Sequence, residues 1–299
     1  MPNPIAIRFA VRWTPVSGRL HPAAAVVCRA VTLAIAFKGP EGVALAVDSR
    51  VTLTAVLPTG QQFPAYFDNA TKLLSVQGQH HVGIVTYGMG AIGAAEPRTA
   101  HGFIPEFEAQ LGAKYDKRAD VADIAGELGR FYTEQWKLAK MPPVGPNVPA
   151  MVFLVAGFNE GDAYGRVYEV SVPDRPGPVE QNAGTFGLTF GGQNELAGRL
   201  INGLDPRAPA IAKDQLGLTD TQVDGLRNKW AEQLSLPIPY AFLPLQDCVD
   251  LSAFLVNMTS VIQTWTVGIR GVGGDVDVAT ITRTEGFKAI KQKRIQVWE

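Results

Sequence analysis

The chain lacks several features that mark specialised classes of protein. It has only two cysteines, Cys28 and Cys248, without paired spacing, which excludes a disulfide framework and makes a reducing cytoplasm the default compartment. The formal net charge is -1, so nothing in the charge balance favours nucleic acid or an acidic membrane as a partner. No apolar run is long enough to cross a bilayer. The composition therefore predicts a cytoplasmic globular protein.

The first 31 residues lack acids altogether, although they contain four arginines: Arg8, Arg12, Arg19 and Arg29. We interpret residues 1–31 as a leader, a pro-segment or the product of a start site assigned too early, and expect the working protein to lack them. No repeat and no clean boundary interrupts the remainder. Residues 32–299 are therefore expected to form a single domain.

The order of predicted elements indicates an α+β fold. From Thr32 to about Tyr87 the pattern is strand after strand. A four-layer αββα sandwich, with helices on both outer faces, fits this order of elements. The elements predicted after Tyr87 are helices at 99–115 and 119–140, strands at 150–158, 165–172 and 186–190, helices at 193–202, 219–234 and 247–265, and a strand at 276–282.

Two details of the later helices can be predicted. Thr219 is expected to cap the helix that follows it. The helix at 247–265 has the pattern of a strongly amphipathic helix. The apolar side chains of its predicted face are Phe254, Met258, Val261, Ile262 and Trp265. Trp265, Trp230 and Trp136 are interpreted as core or interface anchors.

The first predicted hairpin carries a possible catalytic group at each end. Thr32 stands at its start, a Gly-Pro-Glu-Gly turn at 39–42 reverses the chain, and Asp48 and Arg50 follow the second strand. Lys72 lies in the next short apolar run. A hydroxyl, a carboxylate and a lysine on these neighbouring segments could converge on one point.

These segments resemble the β-subunit family of proteasomes, which are N-terminal nucleophile (Ntn) hydrolases with a threonine nucleophile. Residues 42–52 are similar to the family's second-strand signature, and Thr32 aligns with the nucleophile, sixteen positions before Asp48. Lys72 aligns with the active-site lysine after a longer connection. The glycine turn around Gly88 resembles the family's substrate and oxyanion loop. The resemblance implies a threonine peptidase that acts on peptides or unfolded proteins inside a ring-shaped homo-oligomer, without cofactor or metal.

The resemblance also implies a role for each residue. The α-amine of Thr32, with an ordinary pKa of about 8, would accept the proton of its own hydroxyl. Lys72, kept cationic by Asp48, would favour the developing alkoxide. Arg50 would hold the strand end and Asp48. Gly88 and Thr52 complete the expected oxyanion and substrate-binding site, with the backbone N–H of Gly88 donating to the oxyanion.

This chemistry requires a free amine on Thr32, and Val31 precedes it. Two routes would expose the amine. The protein could cleave its own Val31–Thr32 bond. Alternatively, Val31 could be a GTG start codon read as methionine, after which an aminopeptidase leaves Thr32 first. The acid-free leader favours the second route.

The chain departs from the family where groups orient the amine and relay its proton. Gly191 or Gly192 replaces a serine, while Ile269 and Val272 replace an aspartate and a serine. Ser49 and Thr52 are possible partial substitutes. These departures leave two alternatives open: a non-catalytic scaffold subunit of the same fold, and an Ntn amidohydrolase that acts on a small amide.

Two further patterns have weaker interpretations. Residues 88–93 match the glycine-rich G-x-G-x-x-G motif of dinucleotide sites, but no βαβ unit is predicted around them. His80, His81 and His101 do not have metal-ligand spacing.

Overall fold

The computed structural model describes residues 25–28, 32–56, 61–93, 96–145 and 148–293. Most of the predicted leader, residues 1–24 and 29–31, lies outside the described residues. Within the described ranges the chain forms antiparallel sheets and six α-helices, which confirms the α+β class. None of the described helices has the length and apolar character needed to cross a bilayer.

The strands define four sheets, with all their pairs antiparallel. The described strands are β1 (Ala25–Cys28), β2 (Leu33–Lys38), β3 (Val43–Asp48), β4 (Val51–Val56), β5 (Gln62–Phe67), β6 (Leu73–Ser75), β7 (Val82–Gly88), β8 (Ala91–Ile92), β9 (Arg98–Thr99), β10 (Met151–Gly157), β11 (Arg166–Val172), β12 (Arg175–Gln181), β13 (Gly187–Gly192), β14 (Val276–Thr282) and β15 (Gly286–Lys291). Their orders in the sheets are β13-β2-β3-β14-β15, β12-β11-β10-β7-β6, β1-β4-β5 and β8-β9.

The two five-stranded sheets pack against each other through small and apolar side chains. Ala34, Ala36 and Leu45 of one sheet belong to the same buried cluster as Val85 and Leu154 of the other. Every residue of β2 and β3 is buried, as expected for strands covered on both faces. This central packing fixes the end of the β2–β3 hairpin at which Thr32 and Asp48 lie.

Helices cover the outer faces of both sheets. The described helices are α1 (Ile104–Lys114), α2 (Val121–Leu138), α3 (Glu195–Asn202), α4 (Ala208–Leu216), α5 (Asp220–Leu234) and α6 (Leu245–Trp265). Helix α2 packs on β10, β11 and β12, and helix α6 packs on β2, β3 and β14.

Several predicted elements are confirmed, and others are corrected. Thr219 caps α5 in a capping box with Gln222. The helix predicted at 99–115 starts later, at Ile104, because Pro105 favours the first turn of a helix and the preceding residues form β9 and a short 3-10 turn. The sequence reading missed α4, β12 and β15, so the strand at 276–282 is not the last one.

The buried face of α6 differs from the apolar face predicted for it. The face that contacts the sheet includes Ser252, Leu255 and Val256. Trp265 and Phe254, which the pattern placed on the apolar face, are 77% and 52% exposed. Apolar residues occur on both sides of this helix, and periodicity alone does not say which side is buried.

Part of the predicted leader contributes a strand. β1 pairs with β4 in antiparallel register, with Cys28 opposite Leu53 and Ala25 opposite Val56. This strand lies only a few residues before Thr32. The absence of the leader from the working protein therefore stays a prediction.

Candidate active site

The β2–β3 hairpin brings Thr32 and Asp48 together. Thr32 directly precedes β2 and Asp48 ends β3, so antiparallel pairing places both at the same end of the hairpin. The backbone N–H of Leu33 donates to Oδ1 of Asp48 over 3.1 Å. The sixteen-residue spacing thus corresponds to a direct contact between the two ends of the hairpin.

Lys72 completes the cluster. Its Nζ lies 2.7 Å from Oγ1 of Thr32 and 3.1 Å from Oδ1 of Asp48, and it donates to the carbonyl oxygen of Arg50 over 2.5 Å. Lys72 immediately precedes β6, which pairs with β7 in the second sheet. The nucleophile candidate and the lysine therefore come from facing sheets, and the packing of those sheets sets their separation.

Asp48 is fully buried, and its carboxylate has several donors. Oδ2 accepts backbone N–H bonds from Arg50 over 3.0 Å and from Gly273 over 3.2 Å. Burial raises the pKa of Asp48, while the charge of Lys72 and the two backbone donors act in the opposite direction. A buried carboxylate with this many donors is suited to hold a cation in place.

Arg50 holds a different carboxylate from the one expected. Its guanidinium forms a two-pronged pair with Asp68, with distances of 2.6 and 2.7 Å, and only its backbone contacts Asp48. The hydrogen bonds of this pair raise the pKa of Arg50 and lower that of Asp68. A β-carbon on Gly273 would overlap with the guanidinium, so this glycine provides space for Arg50.

The sequence reading missed Asp68, because the residue lies in the longer connection before Lys72 and has no recognisable spacing. Its backbone carbonyl also accepts from the hydroxyl of Ser49 over 2.7 Å. That hydroxyl lies 2.8 Å from the carbonyl of Asp275 as well. Because these carbonyls engage the hydroxyl of Ser49, the side chain joins three segments of chain. Its role as a partial substitute for a relay group stays a prediction.

The predicted site residues line one open cavity. Its lining includes Thr32, Lys72, Arg50, Thr52 and Gly88, and Asp48 lies buried behind Lys72. Thr52 is itself buried, and its hydroxyl is 3.5 Å from the carbonyl of Arg270. The cavity is therefore the place where a substrate could reach the hydroxyl of Thr32.

Position 88 requires a glycine. It ends β7 with a φ of +86°, and a β-carbon there would overlap with the carbonyl of Ala150. The next backbone N–H, that of Met89, donates to the same carbonyl over 2.8 Å. The backbone at the edge of the cavity is thus fixed by the start of the neighbouring strand.

Steric reasons also explain the glycines that replace the expected serine. Gly192 has a φ of +86°, and a β-carbon on it would overlap with the carbonyl of Thr32. That carbonyl also accepts from the backbone N–H of Gln193 over 2.7 Å. A β-carbon on Gly191 would overlap with the ring of Tyr87. The backbone of Gly192 and Gln193 therefore packs on the carbonyl of Thr32, while Gly191 leaves space for Tyr87.

The two other residues that depart from the family pattern, Ile269 and Val272, have apolar side chains. Val272 is buried in the core beneath α6, and its N–H donates to Oε1 of Gln263 over 2.9 Å. Ile269 is half-buried. Neither side chain offers a group that could carry a proton.

The structure disagrees with the dinucleotide interpretation of residues 88–93. The preceding strand, β7, belongs to an antiparallel sheet, and it leads into β8 and not into a helix. Among the described residues, no group of three or more His, Cys, Asp and Glu side chains is arranged to hold a metal ion.

The sequence matches no protein-family model and no curated protein.

Proposed function

We propose that this chain is a cytoplasmic, proteasome-like threonine peptidase with an Ntn-type αββα sandwich. The observation that carries the proposal is the position of Lys72, whose Nζ lies 2.7 Å from Oγ1 of Thr32 and 3.1 Å from the buried carboxylate of Asp48. A lysine bound to a hydroxyl oxygen on one side and to a carboxylate on the other is placed to stabilise an alkoxide. The face-to-face sheets with outer helices support the proposed sandwich.

The first half of the reaction forms an ester. Oγ1 of Thr32 attacks the scissile carbonyl carbon, and its proton passes to the α-amine of Thr32, directly or through water. The ammonium of Lys72 stabilises the negative charge on Oγ1, and the backbone N–H of Gly88 donates to the oxyanion. The tetrahedral intermediate then breaks its C–N bond, and the leaving amine takes the proton from the Thr32 ammonium.

The second half restores the enzyme. A water molecule attacks the ester carbon and gives a proton to the α-amine. The bond between that carbon and Oγ1 breaks, the carboxylic acid product leaves, and Oγ1 recovers its proton. Asp48 takes no proton in this scheme, since its role is to hold Lys72. No cofactor or metal is required by these steps.

The test is hydrolysis of fluorogenic peptides by protein that begins at Thr32, released from a cleavable fusion. Wild-type protein should hydrolyse them, and Thr32→Ala should reduce the rate to background while Thr32→Ser retains part of it. Thr284→Ala, an exposed threonine after β14, is the matched control and should have wild-type activity. Unchanged hydrolysis in Thr32→Ala would refute the proposal.

The expected free amine can be tested separately. The intact mass of protein purified from its native host identifies the first residue. A mass that begins at Thr32 supports the proposal, and mature protein that begins upstream of Thr32 contradicts it.

The proposal includes a homo-oligomeric ring, and the outer face of α6 supports self-association. From Leu251 to Ile269 the chain has no charged residue. On the outer side, Phe254, Val261 and Trp265 are 52%, 48% and 77% exposed. Copies of an uncharged apolar face can meet without bringing like charges together, which suits a second copy of the same chain.

Native mass spectrometry tests this interface. Trp265→Glu places a charge in the proposed contact, so the variant should dissociate into smaller species. Asn228→Glu adds the same charge on the exposed side of α5 and should leave the assembly intact. Equal assembly of both variants, or a monomeric wild-type protein, would overturn the α6 interface.

Ile269, Val272 and Gly191 favour the scaffold as a second candidate, because none of them supplies the relay group expected there. A β-lactone or epoxyketone probe separates the two. Labelling at Thr32 eliminates the scaffold, and no labelling of protein that begins at Thr32 supports it. The third candidate, hydrolysis of a small amide by the same nucleophile, is favoured if the probe labels Thr32 but only small amides are hydrolysed.

A further inference from the structure

A half-buried phenol lines the candidate active site from the second sheet. Tyr87 lies one residue before Gly88 on β7 and lines the same cavity as Thr32. Its hydroxyl donates to Oε2 of Glu169 over 3.1 Å, and Glu169 in turn pairs with Arg175. The phenol therefore links the cavity to an ion pair on β11 and β12. None of the steps proposed above uses this link.

The opposite sheet leaves space for this ring. A β-carbon on Gly191 would overlap with the phenol carbon and oxygen of Tyr87. Gly191 pairs with Ala34, two residues after Thr32, and the next residue, Gly192, packs directly on the carbonyl of Thr32. The phenol oxygen thus lies against the short piece of β13 that holds the main chain of Thr32.

We propose that Tyr87 is the positioning residue for the α-amine of Thr32, with its hydroxyl oxygen accepting an N–H bond from that amine. This inference rests on the proposed function, because it requires Thr32 to be the first residue. A phenol that donates its proton to a carboxylate keeps its oxygen lone pairs available as acceptors. An amine held through one N–H directs its lone pair, and the phenol can fix that lone pair toward the proton of Oγ1.

The protonation state of the phenol supports this role. Burial raises the pKa of Tyr87, and the charge of Glu169 raises it further, so the hydroxyl stays protonated wherever the amine titrates. Around the amine, Lys72 supplies a positive charge, while Asp48 and the Glu169 carboxylate behind the phenol supply negative charge. Arg50 lines the same cavity and pairs with Asp68, and Arg175 pairs with Glu169.

The first experiment compares Tyr87→Phe with wild-type protein, both beginning at Thr32. The ring remains, so the fold should be retained, which the thermal unfolding midpoint checks. We expect kcat to fall about tenfold to a hundredfold with little change in KM, as for loss of one hydrogen bond to a charged group. The acidic limb of the pH profile of kcat/KM should move to lower pH, because the protonated amine loses an acceptor.

The second experiment moves the hydroxyl to the opposite sheet. Tyr87→Ala removes the obstacle to a side chain at position 191, whose backbone lies outside the positive-φ region. The double variant Tyr87→Ala/Gly191→Ser should recover part of the kcat lost in Tyr87→Ala. Tyr87→Ala/Gly191→Ala fills the same space without a hydroxyl and should recover none. Equal rates in the two double variants would show that packing, and not the hydroxyl, is responsible.

The outcomes distinguish this inference from the proposed function. If wild-type protein that begins at Thr32 neither hydrolyses peptides nor reacts with the β-lactone probe, the proposed function fails and the inference fails with it. If the wild-type protein is active and Tyr87→Phe has the same kcat and the same pH profile, only the role of Tyr87 is refuted.

Discussion

The candidate active site and the α4–α5 segment both contain ion pairs, but they use them differently. The side chains of Lys72 and Asp48 are 8% and 0% exposed, whereas those of Lys213 and Asp220 between α4 and α5 are 44% and 88% exposed. A buried charge must have its partner, while an exposed charge is solvated with or without one. A lysine–aspartate pair is therefore required for stability in the candidate active site, whereas the pair between α4 and α5 contributes almost nothing to stability.

The two regions also differ in what holds them. α4 buries only Pro209 and α5 only Val223, so these helices are stabilised mainly by local features such as the capping box at Thr219. The site instead depends on contacts from distant parts of the chain, such as the bond from Gly273 to Asp48. Substitutions in the two regions should accordingly differ in their effects.

The largest effect is expected from Lys72→Met. The variant removes the cation beside Thr32, so hydrolysis should fall about a hundredfold or more. It also leaves Asp48 buried without its partner, which should lower the free energy of unfolding by about 3–5 kcal/mol. Peptide hydrolysis and urea unfolding measure the two losses.

The double variant Asp48→Asn/Lys72→Met is the control for that result. It removes the unpaired charge, so it should regain part of the stability but none of the activity. A Lys72→Met protein as stable as wild type would show that the buried pair contributes little to the fold.

The next effect concerns glycines at positive φ. Gly192→Ala strains the backbone and overlaps with the carbonyl of Thr32, so we expect a loss of about 3 kcal/mol or more together with loss of hydrolysis. Gly217→Ala, at the end of α4, has a similar φ of +63° but open space around it. It should cost only about 1 kcal/mol. Similar unfolding midpoints for the two variants would contradict the steric argument.

A smaller effect, a loss of stability at low pH, is expected from the buried side chain of His81. Burial lowers the pKa of His81 below its ordinary value of 6.5, and its Nε2 lies 2.8 Å from the carbonyl of Ala119. Below about pH 6.5 the unfolded chain takes up a proton that the folded protein resists, so stability is present above this pH and lost as the pH falls. Thermal unfolding between pH 8 and pH 5 should show this loss, and His81→Gln should reduce it.

The smallest effect is expected from Lys213→Met, the same substitution as in Lys72 but in the exposed pair. Both the urea midpoint and peptide hydrolysis should match those of wild type, because water solvates Asp220 once its partner is removed. A clear loss of stability would mean that the α4–α5 segment is held by its surface charges.

The sequence predicted the parts of the site that depend on local geometry. Thr32 and Asp48 stand at the same end of one hairpin, so their meeting follows from turn position and strand length. Lys72 was expected from the family resemblance, since its contact with Thr32 joins two facing sheets and is not local. The spacing could not reveal Asp68, Glu169 or Gly273, because their contacts depend on how distant strands are ordered in the sheets.

The helices of the fold also divide into those that local signals predict and those that depend on tertiary packing. Capping residues and periodicity predicted α2 and α5 well, since these signals are local. The orientation of α6 was not predictable, because this helix has apolar residues on both sides and tertiary packing decided which side to bury. α4 was missed because it buries little and therefore has no strong apolar period.

The bond from Gly273 to Asp48 has a consequence for the timing of synthesis. Thr32, Asp48 and Lys72 leave the ribosome long before residue 273 is made, so Asp48 lacks one of its donors while the chain is still growing. The hydroxyl of Ser49 likewise lacks the carbonyl of Asp275 as an acceptor until that residue has been made. The proposed nucleophile therefore has all its supporting contacts only after the last strands of the sheet have paired. A chain that is still being synthesised lacks a complete hydrolytic centre.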